Sequence, residues 1–351
     1  MEKKIGNPFN ITFGEEPKSF IPRDAEASQI LNSFDSESPE SKIYVITGPR
    51  GSGKTVFLSQ IKRIYDEKED WITIDLNPHG NMIEQFCAKA YEKGKVKRLF
   101  LKTEFNYSFH GFGISISGGN PVSNVESMVE KILVHLAKKG IRVLLTIDDV
   151  TNGENMRYFA HAFQSYIREG YGVFLLMTGL HDNISDLQND KGLTFLIRAP
   201  KIYLDRLSQV AIANSYIRVL GVDKEKAIAL AKTTMGYAYG YQLLGNLLYK
   251  SGGDITDETM AKFDTALDAN VYSLIWRGLS KKDRQILIAV ADGNTEVSAL
   301  LLATGMKNSA LQVYKGRLDK AGLLDISQHG HVSLALPRLK EYILMQKEFE
   351  D

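Results

Sequence analysis

The chain has 351 residues, 44% hydrophobic and 24% charged, with only 9 prolines. That is more core-forming material than a disordered chain carries and more length than one core usually organises, so an unfolded tail and a small stapled scaffold are excluded and two or three packed units are expected. Lys and Arg number 43 against 42 Asp and Glu, a net charge of +1, so no whole-chain field draws the protein to nucleic acid or an anionic membrane.

The single cysteine, Cys87, permits no intrachain disulfide, and no Cys/His cluster has zinc spacing. Apolar runs such as 286–291 and 173–177 fall far short of the ~20 residues a membrane span needs. Residues 1–6 lack an apolar signal core. The expectation is a cytoplasmic protein without a membrane partner.

Residues 1–40 hold Asn7-Pro8-Phe9, Phe13-Gly14 and Pro22-Arg23, the punctuation of an extended arm followed by a short helix. Ile43-Tyr44-Val45-Ile46 is apolar and β-branched, a buried strand that runs into a glycine-rich turn, with a helix from Lys54 to about Tyr65. Trp71 to Leu76 alternates as a second strand, and Met82 to Tyr91 reads as a helix. Between Leu99 and Ser117 the pattern around Gly111 and Gly113 predicts a β-hairpin, with Gly111-Phe112-Gly113 as strand glycines and not a phosphate loop.

Val125, Met128, Val129, Ile132, Leu133 and Leu136 form one apolar stripe of a helix that packs on a sheet. A buried strand follows, Val143 to Ile147, which ends in Asp148-Asp149. A helix over about 155–169, a strand from Val173 to Met177 and a short strand from Lys201 to Leu204 complete the alternation. Strands alternating with helices predict an α/β fold, a mostly parallel sheet covered on both faces.

After Ser208 helices alone are predicted, at Gln209–Leu220, Lys224–Thr233, Tyr241–Tyr249 and Thr256–Ile275. The last segment predicts helices at Lys282–Ala291, Glu296–Thr304 and Ser309–Ala321, the last two closed by Gly305 and Gly322. Leu323–Ile326 and His331–Leu336 then pair as a wing, giving a winged helix-turn-helix. The expected division is 1–40, arm and lead-in helix; 41–207, αβα domain; 208–276, helical domain; and 277–351, winged helix.

Gly48-Pro49-Arg50-Gly51-Ser52-Gly53-Lys54-Thr55 satisfies G-x-x-x-x-G-K-[ST] between a predicted strand and a predicted helix. Glycines let the backbone turn its N–H groups around a polyphosphate, and the following helix offers its positive end to the same anion. Lys54 would reach the β- and γ-phosphates, and Thr55 would hold Mg2+ through its hydroxyl. The candidate nucleotide-binding stretch therefore runs from Gly48 through Val56. A dinucleotide-binding loop or a chance glycine-rich turn is the alternative; the lysine and threonine suit a triphosphate with Mg2+.

Leu144 to Asp149 is an apolar strand that delivers acid at its carboxyl end, where open parallel sheets bind ligands. Asp148 is the candidate metal ligand, acting through water because hydrated Mg2+ keeps much of its own shell, and Asp149 the group that orients or polarises the attacking water. The alternative has both carboxylates capping the next helix. Thr178 is a candidate polar sensor of the γ-phosphate, or a cap for a helix near His181. Arg198 is a candidate arginine finger for a neighbouring subunit, or a surface arginine before an edge strand. His135, His161 and His181 form no ligand group.

These motifs resemble the AAA+/STAND group of P-loop ATPases, within it the prokaryotic ATPases related to origin-recognition initiators. The resemblance rests on Gly48–Thr55, Leu144–Asp149, Ile202-Tyr203-Leu204 with Leu207-Ser208, and the winged-helix pattern. It implies an αβα nucleotide domain followed by a helical lid, with ATP or ADP and Mg2+ as cofactors. It also implies that Phe9 lies near the adenine, and that Arg23 matches the arginine near the start of the first family helix, with Pro22 where glycine is common. Gly236-Tyr237-Ala238-Tyr239-Gly240-Tyr241 stands where relatives carry a Gly-x-Pro element or a sensor arginine. Lid packing is expected of its three tyrosines, and stacking on the base is the alternative.

Asp149 is one methylene shorter than the glutamate many relatives use, which predicts slow hydrolysis. Lys307, Lys315, Arg317 and Lys320 decorate the third winged-module helix and would meet duplex DNA, though residues 277–341 carry only 10 Lys and Arg against 6 Asp and Glu. A protein partner or self-association is the alternative for that face. The expected function is a slow Mg2+-dependent ATPase switch that signals to DNA or protein; the alternative is a non-hydrolysing, nucleotide-stabilised scaffold. A small-molecule kinase is set aside because Leu99 to Gly119 offers no arginine-rich acceptor lid.

Overall fold

The computed structural model describes residues 6–12, 16–94, 96, 105–109, 114–116, 120–121 and 125–350. The chain divides into two compact units, one formed by residues 23–47 and 54–203, the other by residues 1–22, 48–53 and 204–351. Phe13-Gly14, Leu99 and Gly111-Phe112-Gly113 lie outside the described residues.

The first unit is built on a five-stranded sheet in the order β2-β6-β7-β1-β8. Its strands are β1 (Ile43–Thr47), β2 (Trp71–Leu76), β6 (Arg142–Ile147), β7 (Val173–Gly179) and β8 (Lys201–Tyr203). Every pairing in it is parallel. Every residue of β1 and β7 is buried, as continuous apolar runs require when helices cover both faces. The helices are α1 (Asp24–Asp35), α2 (Lys54–Asp66), α3 (Met82–Glu92), α4 (Val125–Lys138), α5 (Glu154–Arg168) and α6 (His181–Asn189). The predicted α4 stripe, Val125, Met128, Val129, Ile132, Leu133 and Leu136, is its buried face.

A hairpin is present where the alternation predicted one. β3 (Phe105–Phe109) pairs antiparallel with β4 (Ile114–Ile116), and β5 (Asn120–Pro121) joins β3 in parallel. In the main sheet β7 runs two residues past its apolar stretch. Thr178 is therefore a strand residue in register with Ile46.

The second unit contains α7 (Gln209–Leu220), α8 (Lys224–Thr234), α9 (Ala238–Lys250), α10 (Asp257–Leu267), α11 (Ser273–Gly278), α12 (Lys281–Ala291), α13 (Val297–Thr304), α14 (Asn308–Lys320) and α15 (Leu339–Glu350). The single helix predicted over 256–275 is interrupted by a π-turn, Asp268–Tyr272, where Tyr272 donates its hydroxyl hydrogen bond to the Pro337 carbonyl. Long-range bonding of this kind carries no sequence signal. The predicted order of three helices and a hairpin is present, but β9 (Leu324–Asp325) and β10 (Ser333–Leu334) are two residues each. Helix α15 follows, fixed at its start by Arg338, whose guanidinium makes a two-pronged pair with Asp264 at 2.7 and 2.6 Å.

The N-terminal arm packs on helices of this second unit. Phe9 is buried with Tyr216 and Tyr241 around its ring at centroid distances of 5.9 and 5.6 Å. Its backbone carbonyl accepts from Asn246 Nδ2 at 2.9 Å, and Asn10 N–H donates to Gln242 Oε1 at 3.1 Å. Gln242 and Asn246 are one helical turn apart on α9, so one side of that helix holds the arm by two amide side chains.

Candidate nucleotide site

β1 ends at Thr47, and the chain enters a turn in which Gly51 and Gly53 have φ of +75° and +92°, values a side chain resists. α2 starts at Lys54 directly after the turn, so its unsatisfied N–H groups and positive dipole end open on the loop. Lys54, Thr55 and Val56 are the first three residues of α2 and are half-buried. Arg50 is exposed on the loop and Ser52 is buried, with the Ser52 N–H donating to the Pro49 carbonyl at 3.2 Å.

Within the first unit four predicted residues converge. Thr55 Oγ1 donates to Asp148 Oδ2 at 2.8 Å, and the Thr178 hydroxyl donates to the other Asp148 oxygen. The backbone N–H of Asp149 in turn donates to Thr178 Oγ1 at 2.9 Å. Register explains the convergence: β6 and β7 are adjacent parallel strands, and their carboxyl ends bring Asp148, Asp149 and Thr178 together. Asp149 has φ +53°, in the left-handed region that Asp tolerates better than most residues, and its side chain is exposed.

Neither capping alternative occurs. α5 is capped by Gly153, and α6 by Leu180 without a side-chain bond. Thr178 is wholly buried and links the two carboxylate residues.

The hydroxyl of Thr55 and the carboxylate of Asp148 form an oxygen donor set that suits Mg2+, a hard cation that keeps several waters and takes its remaining ligands from phosphate. Among the described residues no three His, Cys, Asp or Glu side chains gather as a metal cage, and a site of this composition requires none.

The other named residues lie apart from this group. Arg23 is the N-cap residue of α1, with a largely buried side chain 3.4 Å from Glu26. Arg198 is exposed at the end of the 3-10 helix Lys191–Arg198. Phe9 has no free ring face, because aromatic neighbours and Gly245 enclose it; its place is that of an anchor in the helical unit. On the C-terminal module Lys307 and Lys320 are exposed, Lys315 is half-buried, and Arg317 is engaged with Asp283 and lies over the Tyr314 ring at 5.1 Å.

Tyr237 and Tyr239 touch the loop itself, a role the sequence reading did not give them. Tyr237 Oη donates to the Arg50 carbonyl at 3.0 Å, and the Tyr239 N–H donates to the Gly51 carbonyl at 3.0 Å. A Cβ at position 51 would overlap the Tyr237 hydroxyl. The motif leaves position 51 open, so a glycine there was the available sign that something packs against it. Burial holds the Tyr237 phenol well above its ordinary range, so it remains a donor.

A parallel sheet with a glycine-rich turn after one strand, Lys-Thr opening the next helix, and an acid at the end of another strand is the layout of the P-loop nucleotide-binding fold. Residues 20–173 match the family model of an ATPase domain found predominantly in Archaea. No curated protein matches the sequence. Among solved structures, a Walker-type ATPase of Pyrococcus abyssi aligns with 96% of this chain and 99% of its own, at 14% identity and a TM-score of 0.66. The ORC2 protein of Aeropyrum pernix, in ADPNP and ADP complexes, aligns over 99% of both chains at 14% identity and a TM-score of 0.61. The fold of the chain is thus the P-loop α/β fold of these structures, and residues 20–173 are similar to the archaeal ATPase domain. Among the described residues, no helix is long and apolar enough to cross a membrane.

Proposed function

We propose that the protein binds ATP or ADP with Mg2+ over Gly48–Val56, hydrolyses ATP slowly, and acts as a nucleotide-controlled switch whose output lies in the C-terminal module. The observation that carries this reading is the connected set Thr55–Asp148–Thr178–Asp149, which ties the start of α2 to the ends of two sheet strands. Loop amides and Lys54 hold the β- and γ-phosphates, and Thr55 and Asp148 hold the metal. Bound Mg2+ supplies neutralisation of charge on the phosphate oxygens. Asp149 orients and polarises the attacking water. Thr178 fixes the backbone from which Asp149 projects.

Arg198 fits a finger donated to a neighbouring copy, since it is exposed at the end of the 3-10 helix Lys191–Arg198. The short reach and exposure of Asp149 favour a low rate, because proton-transfer geometry tolerates little displacement. Asp149→Asn is expected to lower phosphate release by about 100-fold, the usual scale of a general base, with ADP affinity within about twofold of wild type. An unchanged rate in a phosphate-release assay would remove Asp149 from the mechanism. Undetectable release by the wild type, with nucleotide still bound, would favour the scaffold reading.

The output partner we infer is protein in preference to duplex DNA. Arg317, one of the four basic candidates, is committed to Asp283, while Leu302 and Val313 on α13 and α14 are 87% and 71% exposed. Exposed apolar residues on that scale suit an apolar contact better than a phosphate backbone. In fluorescence anisotropy, duplex affinity should be weak. Tight binding that falls steeply with salt, and that weakens in Lys307→Ala/Lys320→Ala, would reverse the choice of partner.

A further inference from the structure

The outer face of the phosphate loop is gripped by residues that belong to neither sequence motif. Two carbonyls of the loop accept bonds from the start of α9: Arg50 from the Tyr237 hydroxyl and Gly51 from the Tyr239 N–H, both at 3.0 Å. In a loop that cradles an anion the N–H groups turn inward, which leaves carbonyls on the outside. These two bonds therefore take up the groups that phosphate binding does not use. Two further close approaches are made to the same loop. A Cβ at Gly48 would lie 2.8 Å from the Leu204 carbonyl, and a Cβ at Gly322, the turn after α14, would overlap the Pro49 ring.

We propose that Tyr237 is a positioning residue for the nucleotide site: its hydroxyl, with the Tyr239 amide and the Gly322 turn, latches the outer face of the loop and couples nucleotide occupancy to α9 and the C-terminal module. This rests on the nucleotide-binding reading above and adds how the loop is held from outside. A sensor arginine would read the γ-phosphate directly. Tyr237 instead reads the main chain of the loop, so the latch responds to the loop's conformation and serves ADP as well as ATP. The position demands a rigid donor of this length, because Gly51 admits the phenol only by having no side chain.

Gly322 is the second hook, and a control is built into the same module. Gly305 and Gly322 both have left-handed backbones, with φ of +63° and +72°, but a Cβ at Gly305 would meet nothing within 4 Å. Alanine at either position carries the same backbone penalty; only Gly322→Ala also displaces Pro49.

The test is a titration of full-length wild type, Tyr237→Phe, Gly322→Ala and Gly305→Ala with Mg2+·ADP, alongside hydrogen exchange of the first-turn amides of α9. Tyr237→Phe keeps the ring and removes one hydrogen bond, so about 3- to 10-fold weaker ADP binding is expected. ADP should slow exchange at the start of α9 in the wild type, and that added protection should vanish in Tyr237→Phe. Gly322→Ala should weaken ADP binding by a similar factor while Gly305→Ala leaves it unchanged. Should Tyr237→Phe not fold, the wild-type exchange and the glycine pair decide the matter. Equal ADP affinity in wild type and Tyr237→Phe, or wild-type α9 exchange indifferent to ADP, overturns the latch alone; no ADP uptake by the wild type overturns the nucleotide reading and the latch with it.

Discussion

Lys54→Ala should lower Mg2+·ADP affinity on the order of 100-fold, the scale on which removal of one partner from a buried, hydrogen-bonded charge pair is felt. In the proposed site the turn and α2 would supply amides and a partial positive charge, and Lys54, the first residue of that helix, would bring a full cation to the phosphates. The backbone of the loop is held from outside by Tyr237 and Tyr239, so the substitution should leave the fold intact. Calorimetric titration together with a thermal melt separates the two effects: affinity collapses while the ligand-free melting temperature stays within a degree or two. Affinity reduced by less than about 5-fold would mean that the phosphates are not bound at this end of α2.

Phe9→Ala should be the most destabilising single change in the arm. The ring is 1% exposed and bounded by Tyr216, Tyr241 and Gly245, whose missing side chain leaves room for it. Truncating a buried phenylalanine costs about 3–5 kcal/mol. At about 2–4 °C per kcal/mol for a unit of this size the loss is on the order of 10 °C, confined to the melting transition of the second unit. Gly245→Ala should act in the same direction by intruding on the ring. The polar bonds of Asn246 and Gln242 to the arm hold its backbone but cannot fill that space. A shift of under 2 °C in differential scanning calorimetry for Phe9→Ala would show that the arm contributes little to the unit.

The parallel sheet was legible because its strands are short apolar runs and its helices have regular apolar stripes, and both are local signals. The Gly48–Thr55 turn and the acid pair after β6 were legible for the same reason: each is contiguous. Thr178 was placed near the site by its position after an apolar run. The reason it stands there, a hydroxyl that accepts from the Asp149 amide while donating to Asp148, depends on strand register and could not be read along the chain.

Other features were not legible because they join distant segments. Tyr237 and Arg50 are 187 positions apart, and Phe9 and Asn246 are 237 apart. The aromatic run at 237–241 signalled packing without saying against what. Phe9, expected near the base through the family resemblance, packs its ring on two tyrosines of the helical unit, a contact that no local signal announces. The break in the helix over 256–275 likewise follows from tertiary bonds at Asp264 and Tyr272 that no local propensity encodes.

The most direct measurement is isothermal titration of the wild-type chain with ADP, run once with Mg2+ and once with a chelator. A single site per chain, bound at least tenfold more weakly when the metal is withheld, is the predicted result. Folded protein that gives no binding heat and no thermal stabilisation with either ADP or ATP would contradict the assignment of the Gly48–Thr55 turn and Asp148 as a working nucleotide site.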